Sequence, residues 1–75
     1  MTDEADVVAL DALVRMANQI AANYRYLPEA DVEAAVATHL RSFWAPSMRA
    51  ELAAWVEETG GPGLEPEARA AVGRL

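Results

Sequence analysis

His39-Leu40-Arg41-Ser42-Phe43-Trp44-Ala45-Pro46-Ser47-Met48-Arg49 is the stretch that decides how this chain is read. It lies where one helical pattern stops and another starts. Pro46 disfavours helix at Ala45, and its fixed φ suits the first turn of a new helix. A corner needs no more than that. Phe43, Trp44, Met48 and Arg49 exceed the requirement, and they belong to residue types enriched where one protein grips another.

Upstream of the corner, Val32, Ala35, Val36, His39 and Phe43 fall on one helical face, with Glu33, Ala37 and Arg41 elsewhere. Pro28 breaks the preceding pattern, in which Leu10, Leu13, Val14, Ala17, Ile20, Ala21 and Tyr24 recur at helical intervals. Either Thr2 or Asp3 caps that first helix, with Asp3, Glu4 and Asp6 complementing its positive end. Downstream, Met48, Leu52, Trp55 and Val56 share a face that ends at Gly60-Gly61. Beyond the glycines, Leu64, Ala68, Ala71, Val72 and Leu75 repeat at helical spacing behind Pro66. The spacing predicts helices over about residues 4–26, 29–43, 46–59 and 65–73, with no strand. The expected fold is all-α: a small antiparallel three-helix bundle with a short fourth C-terminal helix, one domain over residues 1–75. A helix of about two turns does not hold alone in water, so the last one docks on the bundle or on a partner.

A chain of 75 residues, 53% hydrophobic, has a marginal core and no cysteine to staple it. Twelve acidic residues against six arginines give a net charge of −6, which opposes approach to a phosphate backbone or an anionic bilayer. The acidic N-terminus and the lack of a long apolar run predict a soluble, intracellular protein.

Catalytic constellations are nearly empty. His39 is the sole histidine, and the positions one turn away, Ala35 and Phe43, are apolar, so it reads as a core or interface imidazole rather than a zinc ligand. The pairs Glu57-Glu58 and Asp31-Glu33 sit on polar faces and helix ends, where nothing separates their pKa values for acid and base work. Gly60-Gly61-Pro62-Gly63 lacks the lysine and strand of a phosphate loop. Trp44 and Tyr26 lie off the core stripes, and each either covers the core from the junction or meets a partner.

Three segments carry a family resemblance: Met16-Ala17-Asn18-Gln19-Ile20-Ala21, the corner from His39 to Arg49, and Gly63-Leu64-Glu65-Pro66. In this order and spacing they resemble the delta subunit of soluble NAD-dependent formate dehydrogenases, over almost the whole chain. The resemblance implies a cytoplasmic complex, dependent on molybdenum or tungsten, that oxidises formate to carbon dioxide and reduces NAD. It implies that the catalytic alpha subunit holds the bis-pterin metal cofactor and iron–sulfur clusters. Beta and gamma subunits then carry FMN, NAD and further clusters. The delta chain itself is expected to hold no cofactor or metal and no catalytic residue, and to act as a stabilising or assembly component. A cysteine-free chain supplies no thiolate cluster ligand, in agreement.

The expected partner-binding residues are Asn18, Gln19, His39, Arg41, Phe43, Trp44, Pro46, Met48 and Arg49. An aromatic supplies affinity and an arginine fork supplies orientation. Asn18 and Gln19 either extend this surface or are ordinary helix polarity with one hydrogen bond from Asn18. Three roles follow: a permanent subunit, a transient maturation factor for the metal-bearing subunit, or a free helical interaction module.

Overall fold

The computed structural model describes residues 9–75, which form four helices: α1 (Leu10–Asn23), α2 (Glu29–Phe43), α3 (Pro46–Thr59) and α4 (Pro66–Val72). Among the described residues there is no strand, and no helix is long and apolar enough to cross a membrane. The expected caps Thr2 and Asp3 lie outside the described residues.

Ala9 is extended (φ −59°, ψ 140°) and its carbonyl accepts the N–H of Ala12 and Leu13, so the described part of α1 starts at Leu10. The helix ends at Asn23 rather than near Tyr26. Tyr24 and Arg25 donate to Ala21 and Ala22, and Leu27 donates to Tyr24, all in tight three-residue turns. Pro28 holds Leu27 off helical geometry, and the chain needs the preceding residues to make its reversal. The stripe of α1 faces inward as its spacing predicts. Leu13, Ala17 and Ala21 are buried, with Leu10, Val14, Ile20 and Tyr24 packed partly against them.

The inward face of α2 differs from the expected one. Val32 and Val36 are buried, but the face continues through Ala37 and Leu40 rather than through His39 and Phe43. The cause is α4. Every pair of helices is in contact, and α2 against α4 is the most extensive pairing. Ala37, Ala68 and Ala71, all buried, leave little side chain between the two helices and allow close approach. Alanine carries a weak hydrophobic signal, so this face is hard to see in the pattern. Phe43, the last residue of α2, stands 76% exposed.

The corner decides between two expectations. Trp44 is buried, 7% exposed, and joins the core. Of its two expected places, over the core or against a partner, Trp44 takes the first, because it is not helical: it is the extended C-cap of α2 (φ −87°, ψ 143°). Pro46 opens α3 and keeps Ala45 extended as well (φ −61°, ψ 144°). Two extended residues in a row swing the indole back under the corner.

Gly60 closes α3 in the left-handed region (φ +83°), with its N–H on the Val56 carbonyl at 2.8 Å. Gly61 follows at φ +69° and is buried. A Cβ there would stand 3.1 Å from both Leu64 Cδ1 and Val56 Cγ2. Glycine takes without strain the turn that carries Leu64 into the core, where a larger residue would be held in a disfavoured backbone region against Leu64 and Val56.

Trp44→Ala is therefore expected to cost about 3–5 kcal/mol, as for a large aromatic removed from a core. Phe43→Ala should change stability by less than about 0.5 kcal/mol. Urea unfolding followed by far-ultraviolet circular dichroism compares the two.

Candidate functional site

The residues expected to meet a partner fall into four groups in the fold. Asn18 is turned onto the α3–α4 loop. Its side-chain amide donates to the Gly63 carbonyl at 2.8 Å, and its carbonyl oxygen accepts the N–H of Glu65 at 2.8 Å. Glu65 is the N-cap residue of α4, yet no side chain on α4 caps that end. Asn18 supplies from α1 what a local cap would supply, satisfying an orphan donor just ahead of the helix. Arg25 adds a second tie, donating to Glu65 at 2.9 Å with Glu67 at 3.8 Å. The hydrogen bond to Glu65, then the charge of Glu67, raise the Arg25 pKa above its usual value. Gln19, one residue on, is exposed and bonds within its own helix to Asn23 at 3.1 Å.

The second group is aromatic. His39 packs edge-on to Tyr24 with ring centroids 6.4 Å apart, and its other side meets Phe43 at 4.8 Å. Tyr24, Ala35, Thr38, His39 and Phe43 line an open groove between the end of α1 and the outer face of α2. His39 is therefore partly exposed and sits between two rings, neither sealed in the core nor near a set of ligands. Among the described residues, no three His, Cys, Asp or Glu gather to hold a metal ion.

The third group is cationic and sits across the α2–α3 corner. Arg49 donates to the Arg41 carbonyl at 3.1 Å, and Arg41 donates to the Arg74 carbonyl at 3.4 Å. Arg74 in turn pairs with Glu33 at 3.2 Å. Pro46 is exposed at the start of α3, and Met48 is half-buried against the core beneath it. The fourth group is Trp44 alone, which is corrected from an expected partner contact to a core residue and supports the corner from inside.

With this geometry in place, the three sequence segments of the resemblance acquire a physical link. Asn18 of the first segment grips Gly63 and Glu65 of the third. The second segment is the corner that Trp44 anchors. A family model described as the NADH-dependent formate dehydrogenase delta subunit FdsD matches residues 12–72. The chain belongs to this family. No curated protein and no solved structure matches it. The matched span takes in the Asn18 latch, the aromatic groove and the arginine corner alike.

Reasoning from the sequence missed Tyr24 as a groove residue, because its place on the α1 stripe assigned it to the core. It also placed Leu75 on the inward pattern of the last helix, whereas Leu75 lies beyond α4 and is 40% exposed. The remaining exposed aromatic is Tyr26, 79% exposed in the turn after α1.

Asn18→Ala should destabilise the fold by about 1–2 kcal/mol, the worth of two modest hydrogen bonds. Gln19→Ala should stay within about 0.5 kcal/mol. Amide hydrogen exchange checks the cause: the Glu65 N–H should lose protection in the first variant and keep it in the second.

Proposed function

We propose that this delta-subunit chain is a non-catalytic accessory subunit of a cytoplasmic NAD-dependent formate dehydrogenase, and that it stabilises or helps assemble the catalytic alpha subunit. The match to the delta-subunit family over residues 12–72 carries this reading. The chemistry of formate oxidation then belongs to the other subunits, with their molybdenum or tungsten bis-pterin, iron–sulfur clusters, FMN and NAD. This chain contributes surface.

The docking surface in this reading wraps the α2–α3 corner: His39 and Phe43 on one flank of α2, Arg41 and Arg49 on another, with Pro46 and Met48 at the start of α3. Its support is physical. Phe43 is the large apolar side chain most exposed at this corner, 76%, and its removal from water favours docking. Its neighbour His39 braces it at 4.8 Å, so little side-chain freedom is lost on binding. Asn18 and Trp44 serve the same face indirectly, one by fixing α4 and the other by fixing the corner. Gln19 lies on the exposed side of α1, next to the latch, as an outlying contact.

Affinity capture of the tagged chain from its native cells should bring down the formate dehydrogenase subunits together with NAD-linked formate oxidation. Phe43→Ser should keep its circular dichroism and lose at least about tenfold in affinity for the complex. Capture of no oxidoreductase subunit sinks the reading. A Phe43→Ser chain that binds as tightly as the wild type moves the docking face elsewhere. Stoichiometry in the purified active enzyme separates a permanent subunit, present in constant ratio, from a maturation factor that has left.

A further inference from the structure

Resting on the docking role above, we infer that the notch between Arg41 and Arg49 receives an acidic segment of the partner subunit. Arg41, Arg49, Ala50, Ala53 and Leu75 line an open notch beside the α2–α3 corner. Its floor is small and apolar, and its rim carries two guanidinium groups.

The charge arrangement is unusual for this chain. Carboxylates outnumber arginines twelve to six, yet among the described residues only three of the six arginines pair with one. Arg15 pairs with Asp11, Arg25 with Glu65 and Glu67, and Arg74 with Glu33. Arg69 is turned onto the Leu64 carbonyl. Arg41 and Arg49, next to each other, have no carboxylate within ion-pair distance among the described residues. Each spends one donor on a backbone carbonyl, Arg49 on Arg41 and Arg41 on Arg74. A guanidinium presents several donors in a planar fork, so most remain free. The backbone anchors hold the stems in place, which lowers the entropy lost when the forks close on a carboxylate.

Charge complementarity names the occupant. Two adjacent guanidinium groups without acidic partners make this notch a place on an otherwise acidic protein where a partner's carboxylates are attracted rather than repelled. A partner segment with carboxylates flanking an apolar side chain satisfies both forks while that side chain rests on Ala50, Ala53 and Leu75. A second copy of this chain, acidic over most of its surface, is the competing occupant.

The test uses the purified complex of the other formate dehydrogenase subunits, freed of this chain, as the probe. Affinity is measured at about 50 mM and about 500 mM salt, a range over which exposed ion pairs are strongly screened. The wild-type chain should weaken as salt rises. Arg41→Gln with Arg49→Gln should bind at least about tenfold more weakly at low salt and lose most of that salt dependence. Arg15→Gln, at an exposed pair elsewhere, should bind as the wild type does. The Arg41→Lys, Arg49→Lys chain keeps the charge without the fork, so it should retain the salt dependence even if the glutamine pair disturbs the corner. A wild-type affinity indifferent to salt, or a folded glutamine pair that binds normally, overturns the inference and leaves the docking role standing. A wild-type chain that binds neither this complex nor the alpha subunit before cofactor insertion removes both. A salt-sensitive dimer of the chain alone, abolished by the glutamine pair, assigns the notch to a second copy and likewise overturns the inference.

Discussion

The structure depends on the docking of α4, a helix of seven residues that has no stability of its own. It packs against all three other helices and most closely against α2, and it carries Ala68, Ala71 and Val72 into the centre of the core. Its position is set from outside its own sequence. Gly60 and Gly61 reverse the chain with backbone angles other residues resist, Leu64 drops into the core, and Asn18 of α1 holds the loop on both sides through Gly63 and Glu65. The latch and the apolar contact are mutually dependent, because each places the backbone that the other needs.

From that docking follows the orientation of everything on α2. Once α4 lies against the side of Ala37 and Leu40, the side bearing His39 and Phe43 is left outward. The aromatic groove is thus a by-product of which flank of α2 the short helix covers. The corner obeys a separate constraint. Pro46 holds Ala45 extended, Trp44 is extended just before it and its indole turns inward, and Arg49 reaches back across the bend to the Arg41 carbonyl. A tryptophan below and an arginine tie above make the bend rigid, which suits a surface that must be preorganised to bind.

Much of this was readable from residue order. Prolines at 28, 46 and 66 and the glycine pair at 60–61 mark helix ends by local chemistry that does not depend on the rest of the fold. The stripes of α1 and α3 were readable because Leu, Val and Ile state their preference strongly. The α2 face was not, since its buried side is written in part by Ala37, a residue equally at home outside. Residue order left Trp44 open between core and partner, because it stands one residue past the last helical turn, where helical periodicity no longer says which way a side chain points. Asn18 was legible only as a polar residue on α1, because its partners lie 45 and 47 residues away.

By itself the sequence determined the all-α class, the helix ends marked by Pro28, Pro46, Pro66 and Gly60-Gly61, the acidic character, and the family to which the chain belongs. Class, helix ends and charge are local or compositional: they follow from proline, glycine, side-chain periodicity and the residue count without knowledge of what packs where, while the family is written in the order and spacing of three short segments. Only the tertiary structure decided which flank of α2 is covered, that Trp44 supports the corner from within, that Asn18 latches α4, and that Arg41 and Arg49 are left without acidic partners. Those are questions of which surfaces meet, and surfaces brought together from distant parts of the chain leave no periodic trace in the order of its residues.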